Sequence, residues 1–149
     1  MLIVGVDPGL KGGIAWYCTI SKDTGAIPMP DTPRQICTRL QNLREIYGTM
    51  HVVLEYAQPM PKQGVTSVFS YGQHFGELVG IMTALNASMT LVRPAVWKKA
   101  LGLNSEKLNS ILLAERLYPE VSLTPGQCRK PQDGIAEALL LMHYGRQTL

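Results

Sequence analysis

The sequence has no apolar stretch long enough to cross a bilayer, which takes about 20 consecutive apolar residues in a helix. Its opening segment, MLIVGVDPGLKGG, also lacks the basic region, extended apolar run and cleavage site of a secretory signal peptide. We therefore expect a soluble protein that has no membrane partner and stays in the compartment where it is made.

Cysteine is scarce, with three residues, Cys18, Cys37 and Cys128, spread over a chain of 149. Their odd number, wide spacing and lack of C-x-x-C pairing disfavour a disulfide framework and a zinc site built on paired cysteines. We expect small buried or half-buried thiols in a reducing cytoplasm.

Charge of one sign is also lacking, because 14 basic and 11 acidic side chains leave a net charge of only +3. Taken whole, this balance is a weak indication of a polyanionic partner. The chain shows no repeat, low-complexity tract or linker, and its length suits one hydrophobic core. We predict a single domain over residues 1–149.

We predict five strands from apolar segments and the turn residues that bound them, the first of which alternates and is rich in Leu, Ile and Val. They are residues 2–7, 12–20, 25–30, 51–57 and 88–94. The first two flank a Pro-Gly turn and predict a hairpin, and residues 57–66 form a Pro/Gly-containing loop that we expect to move on binding a ligand.

Helical spacing of apolar residues predicts the remaining elements. A helix capped by Asp31 or Thr32 ends at Gly48, and a long one covers residues 67–85. A short segment around Trp97, to which we assign no helix or strand, comes after the fifth strand. Two more follow, one capped by Ser105 and one from Asp133 to His143 or beyond. Strands that alternate with helices after an initial hairpin predict an α/β fold, with a five-stranded mixed sheet flanked by helices.

Two predicted strands end in carboxylates, Asp7 and Glu55. If these strands are neighbours, the two anions lie side by side and repel each other unless a cation lies between them. The last predicted helix adds Asp133 and Glu137, which are four residues apart and project from one face. Hard cations such as Mg²⁺ prefer oxygen ligands, and a pair of them can hold the attacking and leaving oxygens of a phosphodiester in line.

Each carboxylate also has a simpler interpretation. Asp7 precedes Pro-Gly and is typical of a turn residue. Glu55 is also consistent with a half-exposed strand residue, and Asp133 with the N-cap of a helix. Glu137 is harder to explain in this way, because its surroundings IAEALLLM are apolar and an unpaired buried carboxylate is costly.

Basic and aromatic residues adjoin these acids. Setting the four acids aside leaves a distinctly basic remainder, suited to phosphate contacts that position nucleic acid without reading its sequence. The candidate DNA-binding bases are Lys62, Arg93, Lys98, Lys99, Lys107, Arg129 and Lys130. Phe69 and Tyr71 are candidates for stacking on exposed bases, with core packing as the alternative for Phe69.

The order of these features resembles the RuvC-type Holliday junction resolvases, including their bacteriophage and chloroplast relatives. The segments that carry the resemblance are IVGVDPGLKGGIAW, VVLEYA, YGQHFGELVG, VRPAVWKK and DGIAEALLL, and they span nearly the whole chain. The resemblance implies an RNase H-like fold, a homodimer, the cytoplasm of a bacterial or phage-infected cell, and hydrolysis of branched DNA with two Mg²⁺ ions, for which Mn²⁺ substitutes.

By the same resemblance, Asp7, Glu55 and Glu137 match the family's catalytic carboxylates. The family's further acid, three residues before the last one, is replaced here by Gly134, and Asp133 resembles the placement in divergent members. Lys98 and Lys107 resemble bases that touch the junction backbone, and Phe69 or Tyr71 falls where the family has an aromatic near the exchange point.

The sequence therefore predicts a metal-dependent endonuclease that resolves four-way junctions by paired nicks and leaves 5′-phosphate and 3′-OH ends. Its helix over residues 67–85, with glycines at 72, 76 and 80, is the candidate dimer interface. Three alternatives stay open: a nuclease of the same fold that cuts RNA/DNA hybrid or flap DNA, a non-catalytic nucleic-acid-binding module, and a small-molecule phosphotransferase suggested by the turn DPGLKGG.

Overall fold

A computed structural model describes residues 1–56 and 58–149 of the chain. It contains five strands that form one sheet. Their bounds are β1 Leu2–Asp7, β2 Gly13–Cys18, β3 Thr24–Pro28, β4 Met50–Glu55 and β5 Ser88–Val92. The strand predicted over residues 51–57 thus ends at Glu55, and Ala57 lies outside the described residues.

Helices occupy the connections between and after the strands. Their bounds are α1 Pro33–Tyr47, α2 Val65–Ala84, α3 Pro94–Ala100, α4 Lys107–Leu117 and α5 Asp133–Thr148. Thr32 caps α1 through a capping box with Gln35, so of the two predicted caps Thr32 is the correct one. No helix within the described part of the chain is long and apolar enough to cross a membrane.

The strand order in the sheet is β3-β2-β1-β4-β5. The hairpin pairs are antiparallel, whereas β1 pairs with β4, and β4 with β5, in parallel. The prediction of a five-stranded mixed sheet flanked by helices is therefore confirmed. The parallel pairing brings the carboxyl ends of β1 and β4 to the same edge of the sheet, because parallel strands run in one direction.

Apolar side chains on the two faces of the sheet form two packed layers. One layer joins the sheet to α1 and α2, through residues such as Ile36, Leu40, Leu78 and Met82. The other layer lies under α5, whose residues 134–142 are all buried. Burial on nearly all sides explains why the sequence of α5 shows little polar-apolar alternation.

Gly5 on β1 allows α5 to lie directly against the sheet. A Cβ atom built at Gly5 would overlap the backbone of Ala138 and Met142 on α5, so any larger residue would push the helix away. This close approach fixes the height of α5 above the end of β1. It therefore sets where the α5 side chains meet Asp7.

Two local predictions are wrong. Ser105 does not cap α4: the N-cap residue is Glu106, and the side chain of Asn104 accepts a hydrogen bond from its backbone N–H over 2.9 Å. Asn and Asp side chains readily accept hydrogen bonds from the backbone N–H two residues further on. Asn104 therefore makes a side-chain contact of the kind that we predicted for Ser105. Cys128 is exposed rather than buried, because it lies in the loop before α5, whereas Cys18 is buried and Cys37 half-buried.

Candidate metal centre

Asp7 and Glu55 are the last residues of two neighbouring parallel strands, β1 and β4. Val6 lies opposite Leu54 in the register, so the two carboxylates follow at the same level of the sheet edge. Glu55 is buried, with 8% of its surface exposed, while Asp7 keeps more contact with solvent. The two carboxylates lie close together because β1 pairs with β4. The sequence of one strand does not show which other strand it pairs with.

Glu137 approaches the same edge from the second turn of α5. One carboxylate oxygen each from Asp7, Glu55 and Glu137 lies within 4.8 Å of the other two. Glu137 is 8% exposed, which is unusual for a carboxylate in an apolar helix. The structure therefore brings three of the four predicted acids into one cluster.

The pKa of Asp7 is raised well above its ordinary value, first because burial withholds water from the carboxylate and then because Glu55, Glu137 and Asp133 repel its charge. Burial likewise raises the pKa of Glu55, while the hydrogen bond from Trp97 opposes that change. Clustered anions that resist ionisation in this way are stabilised in the ionised form by a cation between them.

Two consecutive residues of α3 contact two different carboxylates of the cluster. The indole Nε1–H of Trp97 donates a hydrogen bond of 2.7 Å to Oε2 of Glu55. The Nζ of Lys98 donates one of 2.8 Å to Oε1 of Glu137 and lies 5.2 Å from the centroid of the Trp97 ring. Helix α3, which follows β5, thus donates hydrogen bonds to two of the three carboxylates.

Asp133 lies outside the cluster of three. It is the first residue of α5, and its Oδ2 pairs with Nζ of Lys107 over 2.5 Å. The hydrogen bond with Asp133 is the main reason why the pKa of Lys107 is raised. The alternative of an N-cap role for Asp133 is wrong, because the N-cap residue is Gln132.

Gly134 cannot be replaced by an acid without moving the chain. A Cβ atom built there would overlap the backbone of Lys11 and Gly12 in the turn between β1 and β2. A side chain at this position would also push α5 away from the strand that carries Asp7. The backbone of this turn therefore leaves no room for a side chain at position 134.

The three clustered carboxylates open into a groove of about 830 Å³. Its lining includes Asp133, Lys107, the turn after β1, the start of α1 and residues of α2 from Ser67 to Glu77. Tyr71 lies in this groove, half-buried, with its ring next to Gly9. Burial and the three acids raise the pKa of Tyr71, so its phenol stays neutral at physiological pH.

The other predicted DNA-binding residues lie on the surface. Phe69 is 72% exposed, so the alternative of core packing is wrong for it. The exposed bases are Lys62, Arg93, Lys99, Lys107, Arg129 and Lys130. Lys98 differs from them because it is half-buried beside Glu137.

Sequence reasoning missed the contact between Trp97 and Glu55 and the place of His74 in the groove. His74 is buried, and within the described residues its Nε2 has no hydrogen-bond partner. A tryptophan in a short amphipathic segment is typical of core packing, so the pattern around Trp97 gave no signal of a polar contact.

The donor set of the cluster fits a hard divalent cation. Three carboxylates offer oxygen ligands only, which suits Mg²⁺ or Mn²⁺ rather than a metal that prefers sulfur or imidazole. Lys98 pairs with Glu137, whereas Asp7 and Glu55 form no ion pair within the described residues. Asp7, Glu55 and Glu137 are the residues that would hold the ion.

No family model and no curated protein sequence matches the chain. Solved structures do match. Thermus thermophilus RuvC, in complex with a Holliday junction substrate, is 17% identical with a TM-score of 0.62, over 99% of this chain and 96% of that one. The fowlpox virus Holliday junction resolvase is 18% identical with a TM-score of 0.55, over 100% of both chains.

The yeast mitochondrial Holliday junction resolvase is 12% identical with a TM-score of 0.52, over 97% of this chain and 79% of that one. At these identities the likeness shows a common fold, and it extends over the whole length of the chain. The chain therefore shares its fold with Thermus thermophilus RuvC and with the fowlpox virus resolvase.

Proposed function

We propose that this protein is a metal-dependent endodeoxyribonuclease that resolves four-way DNA junctions by paired nicks. The observation that carries the proposal is the cluster of Asp7, Glu55 and Glu137, placed by two parallel strand ends and one helix at the floor of an open groove. The shared fold with structures of junction resolvases supports the choice of substrate.

Asp7, Glu55 and Glu137 would hold divalent cations, Mg²⁺ with Mn²⁺ as a substitute, and Asp133 would be a further ligand if its pairing with Lys107 were lost. Bound ions of this kind activate water and stabilise the leaving 3′ oxygen of a phosphodiester, which yields 5′-phosphate and 3′-OH ends. The fold places the three carboxylates close together without a cation, so their oxygen atoms are already positioned as ligands.

Lys98 and Lys107 have a second task in this proposal. Each is paired with an acid of the site, and a DNA phosphate that enters the groove offers a competing anion. Lys107 is the freer of the two, because its side chain is 73% exposed against 18% for Lys98. Lys107 therefore contacts the backbone beside the cut, and Lys98 the phosphate at the cut.

The surface around the groove binds the arms of the junction. Lys62, Arg93, Lys99, Arg129 and Lys130 are exposed and suit phosphate contacts. Phe69 projects into solvent from the first turns of α2 and can stack on an unpaired base at the exchange point. Tyr71 lies deeper, next to the carboxylates, and borders the path of the strand that is cut.

A homodimer supplies the second cut, because two symmetric nicks need two sites related by a twofold axis. Helix α2 is the proposed interface. Its exposed residues Val65, Gly72, Gly76 and Gly80 recur at helical spacing along one stripe. Cβ atoms built at the last three would meet no described atom within 4 Å, so this face of the helix has room for a second copy.

The test is cleavage of a labelled synthetic four-way junction in Mg²⁺ and in Mn²⁺, with linear duplex, flap DNA and RNA/DNA hybrid alongside. We expect paired nicks on the junction that are lost with chelator and in Asp7→Asn. Gln127→Asn, an exposed conservative change in the loop before α5, is the matched control and should cut like the wild type.

Other outcomes would replace the proposal. Cutting of hybrid or flap alone would indicate a nuclease of the same fold with another substrate. Tight junction binding without cutting, together with no cation binding in calorimetry, would indicate a non-catalytic binding module.

A further inference from the structure

Trp97 makes a contact that its apolar surroundings do not explain. Its side chain is fully buried, with 0% exposure, in the layer between the sheet and α5. A buried indole needs a partner for its N–H, and here the partner is the carboxylate of Glu55 at 2.7 Å. The partner is therefore one of the three acids of the metal centre.

The chemistry of this donor differs from that of Lys98. An indole N–H is neutral, so it orients a carboxylate without cancelling its charge, whereas an ammonium group competes with a metal ion for the same anion. The bond engages Oε2 of Glu55, and Oε1 remains free of protein hydrogen bonds within the described residues. Trp97 can thus stay in place when a cation binds.

The indole is itself rigidly held. Trp97 belongs to α3, which starts at Pro94, and it packs in the same layer as Val92 of β5 and Leu139 of α5. A tightly packed side chain that hydrogen-bonds a metal ligand can hold that ligand in its binding orientation.

We infer that Trp97 is a positioning residue, which holds the Glu55 carboxylate in the orientation that binds a divalent cation. This inference rests on the proposed function, since it concerns the same metal centre. It predicts that loss of the indole N–H weakens cation binding beyond any effect on the stability of the fold.

The variant that tests it is Trp97→Phe, which keeps an aromatic ring and removes the donor. The matched control is Tyr118→Phe, which removes the hydroxyl group of a buried aromatic residue in the same layer. That hydroxyl group contacts His143 and Arg146 rather than the acids. The readouts are Mn²⁺ binding by calorimetry and the thermal midpoint without metal.

We expect Trp97→Phe to bind Mn²⁺ about 10-fold to 100-fold more weakly than wild type. This is the range of affinity lost when a residue that hydrogen-bonds a metal ligand is removed. Cleavage at limiting Mn²⁺ should fall by a similar factor and recover largely at saturating Mn²⁺. Tyr118→Phe should bind Mn²⁺ with the affinity of the wild type, even if its thermal midpoint falls as far as that of Trp97→Phe. Equal Mn²⁺ affinity in wild type and Trp97→Phe would overturn the inference.

A measurement on the unmodified protein decides the matter if Trp97→Phe does not fold. The chain has two tryptophans, Trp16 and Trp97, and hence two indole N–H signals in an NMR spectrum. Titration with Mg²⁺ should shift the Trp97 signal along the calorimetric binding curve and leave Trp16, on β2, unchanged. Binding of Mg²⁺ without a shift at Trp97 would refute the inference alone. A wild type that binds no cation would refute the proposed function, and the inference with it.

Discussion

The Nζ of Lys98 lies 2.8 Å from Oε1 of Glu137 and so occupies one of the three carboxylates that form the candidate metal centre. The side chains are largely buried, 18% and 11% exposed, so their attraction is screened less than that of a surface pair. A metal ion and Lys98 therefore compete for Glu137, and both the resting charge of the site and its affinity for cations depend on this lysine.

Replacing Lys98 by Met should separate metal binding from cleavage. Without the ammonium group, Mn²⁺ should bind about 3-fold to 10-fold more tightly, since a competing charge worth about 1 kcal/mol is removed. Junction cleavage should nevertheless fall at least about 10-fold, because a phosphate contact is lost. Calorimetry and nicking assays measure the two effects.

The neighbouring Lys99→Met is the control, because Lys99 is exposed and makes no ion pair within the described residues. It should leave Mn²⁺ affinity unchanged. Weaker Mn²⁺ binding in Lys98→Met would contradict the competition described above.

Replacing Asp7 by Asn should abolish cleavage and stabilise the metal-free protein. The raised pKa of Asp7 means that the fold favours its protonated form, owing to burial and to repulsion by the other acids. An amide removes that penalty, so we expect the free energy of unfolding at pH 7 to rise. Denaturant unfolding in EDTA measures it.

The same comparison has a defined pH dependence. A carboxyl group with a raised pKa in the folded state destabilises the fold increasingly as pH rises from its unfolded pKa, about 3.9, towards its folded pKa. The stability advantage of Asp7→Asn should therefore be small near pH 4 and grow towards neutrality, and saturating Mg²⁺ should reverse it. An advantage that is independent of pH would show that the charge of Asp7 is not the cause.

Asp133→Asn should weaken cation binding less than Glu137→Gln. Glu137 belongs to the cluster of three, while Asp133 is paired with a lysine that is 73% exposed. We expect at least about a tenfold loss of Mn²⁺ affinity for Glu137→Gln and a smaller loss for Asp133→Asn, with folding stability in the latter changed by less than about 1 kcal/mol. Equal losses would place Asp133 among the primary ligands.

Gly76→Glu should convert the proposed dimer to a monomer without unfolding it. The position is exposed and open in the single chain, and a glycine in a helix interior costs about 1 kcal/mol relative to alanine, so the protomer should not be destabilised. A bulky anion on this stripe would block close approach of a second α2. Light scattering after size-exclusion chromatography measures the mass.

Gln41→Glu on the exposed face of α1 makes the same change of charge away from α2, and it should leave the mass unchanged. A wild type that is already monomeric at micromolar concentration, or a dimer that persists in Gly76→Glu, would exclude α2 as the interface.

The strands and helices could be predicted from sequence because their signals are local. Val and Ile followed by a turn mark β1, and apolar residues at helical spacing mark α1 and α2. One error concerns the start of α4, where the side chain of Asn104, rather than that of Ser105, accepts from the backbone N–H of Glu106. A one-residue difference of this kind leaves the periodic pattern unchanged.

The sequence by itself determined that carboxylates end two strands and that two more begin one helix, because strand and helix periodicities place residues on defined faces. Only the tertiary structure decided which of them meet. Asp7, Glu55 and Glu137 lie together because β1 pairs in parallel with β4 and because α5 lies close to Gly5. Asp133 lies outside this cluster and pairs with Lys107. Trp97 and Lys98 reach two of these acids because α3 follows β5, next to β4, a relationship between distant segments that no local pattern encodes.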